Sequence, residues 1–148
     1  MADADFKLPP AFSRCARTNH WNFSNRRAYY FLGRLPDGLR VALEFRHDSW
    51  VDDGVFAALE RHGAAYVVMS GARLPCVLRA TADFVYVRLH GPDRDWLYGG
   101  SYDDASMRWW ADRIREWQGQ GRDVFAYFNN DADGNAVRNA QALRAALG

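Results

Sequence analysis

The chain has 148 residues, 49% hydrophobic and 25% charged, with nineteen basic side chains against eighteen acidic ones and a formal net charge of +1. That is the composition of an ordinary soluble globular domain, and one domain over residues 1–148 is expected. It is too short for a standard eight-stranded (β/α) barrel of about 250 residues, and its balanced charge argues against bulk nucleic-acid or membrane binding while allowing a local basic site.

In chain order, the opening Met1-Ala2-Asp3-Ala4-Asp5 has two acids and no apolar stretch, so no signal peptide is read. A fifth, very short strand candidate lies at Phe6 to Leu8, cut off by Pro9-Pro10. Residues 13–37 mix aromatics with Asn and Arg and hold one helix candidate near Arg26 to Leu35. Pro36-Asp37-Gly38 is a turn signal. Four segments rich in β-branched and aromatic residues read as strands: Arg40 to Arg46, Ala64 to Met69, Phe84 to His90 and Asp123 to Asn129.

Helical patterns lie between them. Asp52 to His62 places Val55, Phe56 and Leu59 on one side, with Asp52 or Asp53 suited to cap it. From Asp103 to Gln118 the apolar stripe is Met107, Trp110, Ala111, Ile114 and Trp117, with Ser101 and Asp104 resembling a capping box. Gly119 and Gly121 stop it. The last helix, about Gly134 to Leu147, carries Val137, Ala140, Leu143 and Leu147 on one face. Strand alternating with helix predicts an α/β fold with a parallel sheet.

Strand parity divides the residues into two faces. One reads Val41, Leu43, Phe45; Ala65, Val67, Met69; Val85, Val87, Leu89; Val124, Ala126, Phe128, all apolar. The other reads Glu44, Arg46; Tyr66, Val68, Ser70; Phe84, Tyr86, Arg88, His90; Phe125, Tyr127, Asn129, and turns polar toward the carboxyl ends. In parallel α/β sheets function collects at those ends. Glu44, Arg46, Arg88, His90 and Asn129 are therefore candidate site residues. The same charges would also serve as an internal ion-pair network that only fixes the sheet.

The following loops add His47, in His47-Asp48-Ser49-Trp50, then Tyr98 and Tyr102 in the glycine-broken Trp96 to Tyr102 segment, and Asn130 before the last helix. Free N–H groups at that helix start suit an anion. The acids of Asn130 to Asn135 lack an EF-hand's closing glutamate, so no metal is expected. No GxGxxG, P-loop, GxSxG or HExxH string occurs, and no cofactor is expected. Cys15 and Cys76 are widely spaced and read as free thiols in a reducing cytoplasm. No run approaches the ~18 apolar residues of a membrane span, so a cytoplasmic protein is expected.

The strings GLRVALEFRHDSW (38–50), TADFVYVRLHG (81–91), YGGSYDDASMRWWADRIREW (98–117) and DVFAYFNNDADGNAVRNAQAL (123–143) closely resemble the YecE-like proteins. That family is number seventy-two in the domain-of-unknown-function series. FKLPPAF (6–12) is similar to its fourth-strand segment, and Ser70 stands where an aspartate is frequent. The resemblance implies a partial TIM-barrel-like (β/α) fold of four to five parallel strands with flanking helices and the charged strand ends at the mouth. It also implies that the family's N-terminal strands are missing. It supplies no activity, and whether the chain is an enzyme stays open.

The leading functional expectation is an enzyme-like pocket for a small anionic ligand, phosphorylated or sugar-like. Arg46 and Arg88 would clamp the anion, with His47 nearby. Glu44 or His90 would move a proton, Asn129 and Asn130 would orient the ligand, and Tyr98 and Tyr102 would close over it. The alternatives are non-catalytic binding of nucleic acid or phosphate, with Trp96, Tyr98 and Trp109 stacking on bases, or a truncated remnant without independent activity. Near-neutral charge disfavours nucleic acid. An open parallel sheet with two free edges further predicts a homo-oligomer or a separately encoded N-terminal half as partner.

Overall fold

The computed structural model of the protein describes residues 23–148, so the strand candidate at Phe6 to Leu8, the FKLPPAF string and Cys15 lie outside the described residues. Helix α1 (Phe23–Leu32) leads into β1 (Ala42–Leu43), α2 (Asp53–Arg61), β2 (Ala65–Ser70), β3 (Phe84–Leu89), α3 (Asp104–Gly119), β4 (Asp123–Phe128) and α4 (Asn135–Leu147). The four strands form one parallel sheet in the order β1-β2-β3-β4. The α/β class and the parallel sheet are as the alternating pattern predicts. The first strand is much shorter than the Arg40 to Arg46 run, because pairing with β2 is confined to Ala42 and Leu43.

The helix ends follow from local chemistry. Asp52 caps α2 by accepting the Gly54 N–H at 2.8 Å. Asp103 caps α3 by accepting from Ser106, so the Ser101–Asp104 capping box does not form. The Ser101 hydroxyl instead accepts from Asn139. Gly121 adopts φ +78 just past α3, where a side chain would be strained.

The described helices contribute to one core on one face of the sheet. Val55 and Leu59 of α2, Met107, Trp110, Ala111 and Ile114 of α3 and Leu143 of α4 pack with Tyr66, Val68, Val85, Val87 and Leu89. Leu43, Phe45, Val124, Ala126 and Phe128 border the same core. The parity expected for β2 is therefore inverted. Tyr66, Val68 and Ser70 point to the helices, while Ala65, Val67 and Met69 share the opposite face with Phe84, Tyr86 and Arg88. Five of the six β2 residues are buried, so alternation carries no polar signal and the phase is unreadable. Tyr66 enters the core by stacking against Phe45 and meeting Phe56 edge-on.

No described helix covers the second face. Tyr86 and Tyr127 stack there with ring centroids 5.0 Å apart, and Phe84 meets Phe125 edge-on. From beside β1, Arg40 crosses this face with its guanidinium 4.6 Å from the Phe84 ring centroid and pairs with Asp123 of β4 at 2.8 Å. First and last strands are thus tied across the full width of the sheet. No described helix is long and apolar enough to cross a membrane.

Candidate functional site

At the carboxyl ends of the strands one carboxylate gathers three cations or potential cations. Glu44, just past β1, accepts from Arg46 Nε at 2.6 Å through Oε1 and from Arg88 Nη1 at 2.7 Å through Oε2. Arg88 lies on β3 and also donates through Nε to Oδ1 of Asn129, just past β4, at 2.7 Å. Arg46 Nη1 donates to the Tyr98 hydroxyl at 3.2 Å. His90, one residue beyond β3, sets Nε2 3.5 Å from Glu44 Oε1. Residues from three strand ends and one loop thus meet, although 44 positions separate Glu44 from Arg88.

His90 is fully buried, and both ring nitrogens lack a hydrogen-bond partner among the described residues. A buried polar atom in that state is costly and uncommon in a folded protein. The Tyr98 ring covers the imidazole edge-on at 5.3 Å. Gly71 permits close approach from below, since a Cβ there would lie 2.8 Å from His90 Cβ. Tyr98 itself holds φ +76, an unfavourable conformation for a bulky residue, so the loop spends local strain on placing that phenol.

Burial raises the Glu44 carboxyl, but hydrogen bonds and charge from Arg88 and Arg46 outweigh it and hold the group below the ordinary carboxylate value. Burial pushes the His90 imidazole down; Glu44 pulls it up and the arginines oppose that, leaving it below an ordinary histidine. At neutral pH the cluster therefore holds an ionised carboxylate, two guanidinium ions and a neutral imidazole. A groove of about 440 Å³ opens beside it on the face that no described helix covers, lined by Glu44, Arg88, Val67, Tyr86, Tyr127 and, at its far end, Arg40.

Three of the sequence candidates lie elsewhere. His47 caps a short helical turn, with Nδ1 accepting the Ser49 N–H at 3.1 Å. The Tyr102 hydroxyl sits on the helix side, accepting the Gly91 N–H at 3.0 Å and donating toward Ser70. Asn130 is fully buried and donates to Gly100 O and to Asn139 Oδ1. Asn139 also accepts the Tyr102 N–H and donates to Tyr102 O. Tyr102 and Asn130 thus fasten the 91–102 loop to α4 and do not close over the groove. The sequence reading missed Arg40, Asp123 and Gly71. Parity could have found Asp123, which is level with Phe84 in the sheet.

A family model described as a protein of unknown function, DUF72, matches residues 4–148. The chain belongs to the DUF72 family. Its similarity to the UPF0759 protein YunF of Bacillus subtilis is 29% identity over 161 residues, covering 93% of this chain and 55% of YunF. A DUF72 crystal structure from Thermotoga maritima superposes with a TM-score of 0.70 at 26% identity, over 74% of this chain and 46% of that one. A second, from Enterococcus faecalis, gives 0.71 at 17% identity, over 82% and 50%. The chain therefore spans about half the length of the relatives it matches. The resemblance read in the sequence and the matching family agree. The four-stranded parallel sheet with its flanking helices is a partial TIM-barrel-like fold, and the family is described as one of unknown function.

Proposed function

We propose that the strand ends of this DUF72 protein form an acid–base binding site for a small anionic ligand, phosphorylated or sugar-like. The supporting observation is His90: a fully buried, neutral imidazole with two unpartnered nitrogens, beside a carboxylate held ionised by two arginines. An orphaned buried donor and acceptor is satisfied when a ligand hydroxyl or water reaches it. In this reading Nε2 would accept a proton from such a hydroxyl, and Glu44 would stabilise the imidazolium that forms. One carboxylate against two guanidinium ions leaves the cluster one positive charge, which suits an anion, and the Arg46 and Arg88 forks match phosphate geometry. Tyr98 closes one side, and Asn129 fixes the angle of Arg88.

Nuclear magnetic resonance of the histidine ring signals during titration with inorganic phosphate, then glucose 6-phosphate, tests this reading. Saturable shifts of the His90 signals that vanish in Arg88→Met are expected. Signals unmoved by either compound would remove the proposal.

A further inference from the structure

We infer that residues 93–99 form a gate over His90, held shut by the hydrogen bond from Arg46 to the Tyr98 hydroxyl. The gate rests on the reading of His90 as the group a ligand reaches, and it supplies the regulation that such a site needs. The imidazole is fully buried, so no ligand touches Nε2 until a covering element moves. Among the described residues, the ring that lies on it is Tyr98, edge-on at 5.3 Å. Leu97, whose Cδ1 lies 3.1 Å from where a Gly71 Cβ would be, is the apolar half of the same cover.

The hydrogen bonding of the loop makes this segment the one that moves. Its flanks are fastened: Gly91 donates to the Tyr102 hydroxyl, and Gly100 O accepts from the buried Asn130. Between them the chain is bonded to itself. Asp93 Oδ1 accepts the N–H groups of Asp95 and Trp96, and Trp96 O accepts that of Gly99. Among the described residues one hydrogen bond leaves the segment, from Arg46 Nη1 to the Tyr98 hydroxyl at 3.2 Å. Trp96 and Tyr98 are 60% and 37% exposed, so packing holds the tip only on its inner side. A segment with fastened flanks, internal bonds and a single polar tether swings as a unit.

The closed state is poised for release. Tyr98 holds φ +76, a conformation that the tether maintains and that opening relieves. The tether is weak, a long bond between a half-exposed guanidinium and a neutral phenol. Arg46 stays on Glu44 through Nε when Nη1 lets go, so opening leaves no charge without a partner.

Diethyl pyrocarbonate, which acylates a neutral imidazole, tests the gate without any ligand. Peptide mass spectrometry compares the rate at His90 with that at the exposed His62 in the same sample at pH 7. In the parent, His90 should react at least about tenfold more slowly, because modification follows the open fraction. Tyr98→Phe and Arg46→Met each remove the latch and should raise the His90 rate at least about threefold. Losing Arg46 makes the imidazole easier to protonate and so less reactive, so a gain in Arg46→Met reports opening. Arg88→Met removes an equal charge without touching the latch and should stay within about twofold of the parent. Tyr98→Gly accepts φ +76 without strain and should raise the rate at least about tenfold in a chain that keeps its circular dichroism. A parent His90 as reactive as His62, latch variants at the parental rate, or an equal gain in Arg88→Met would each overturn the gate. Phosphate that fails to bind removes the acid–base site and leaves these rates as they are, so the two readings fail separately.

Discussion

His90 Nε2 lies 3.5 Å from Glu44 Oε1, close enough to feel the carboxylate's charge but outside hydrogen-bonding geometry. The imidazole is therefore governed by burial first and by its charged neighbours second. Its folded pKa lies below the unfolded value near 6.5. A depressed value contributes stability that is complete above about pH 6.5 and is lost as pH falls through the folded pKa. Ring-proton titration should place the His90 midpoint below the ordinary histidine value. Glu44→Gln should lower it further, because the group that pulls it up is gone while both arginines remain.

Glu44 obeys the same sign. Its contribution is complete above the ordinary carboxylate range and disappears as pH drops through its lowered folded value. Replacing it takes away the charged acceptor that the two guanidinium ions share, leaving Arg46 with Tyr98 and Arg88 with Asn129. Glu44→Gln should cost about 2 kcal/mol in urea unfolding at pH 7, shrinking toward zero in strong acid.

The two arginines are unequal. Arg88 is 33% exposed and bridges Glu44 to Asn129, whereas Arg46 is 46% exposed and joins Glu44 to a loop phenol. Arg88→Met should destabilise by about 2 kcal/mol. Arg46→Met should cost less than about 1 kcal/mol, as exposed pairs do. Equal losses would mean that the Asn129 contact contributes nothing.

Tyr102→Phe separates structure from ligand contact. The change strips a buried N–H of Gly91 of its acceptor, a loss of about 1–3 kcal/mol. Phosphate titration of the His90 signals should be unchanged, because the hydroxyl lies on the helix side of the sheet. A weakened titration in a fully folded variant would place Tyr102 at the groove after all.

Gly91 is the most constrained position in the same loop. It holds φ +113, and an added Cβ would fall 2.2 Å from Gly99 O, a backbone atom with little freedom to move. Gly91→Ala should cost at least about 3 kcal/mol and displace Tyr98 from His90. Thermal unfolding and loss of the aromatic shift on the imidazole would register both effects.

How much of this was legible depended on which strands alternate. β3, β4 and the segment through β1 interleave apolar with polar or aromatic residues, so the meeting of Glu44, Arg88 and Asn129 follows from parity alone. β2 is apolar on both sides, and one tyrosine pulled its phase the wrong way. The β4–α4 and β3–α3 loops were harder for another reason. Asn130 and Tyr102 have the chemistry of ligand contacts, yet a buried loop needs the same chemistry to satisfy its own backbone. Only the position of Asn139, nine residues along, decides between the two. The Arg40–Asp123 pair joins opposite edges of the sheet, a relation that no local pattern encodes.

The unequal covering of the strands sets an order of opening. β2 is enclosed on both sides, while alternate residues of β4 face outward. Backbone amides should trade their hydrogens with deuterated water last along β2 and first along β4, so breathing of this protein begins at the margin that carries the stacked tyrosine.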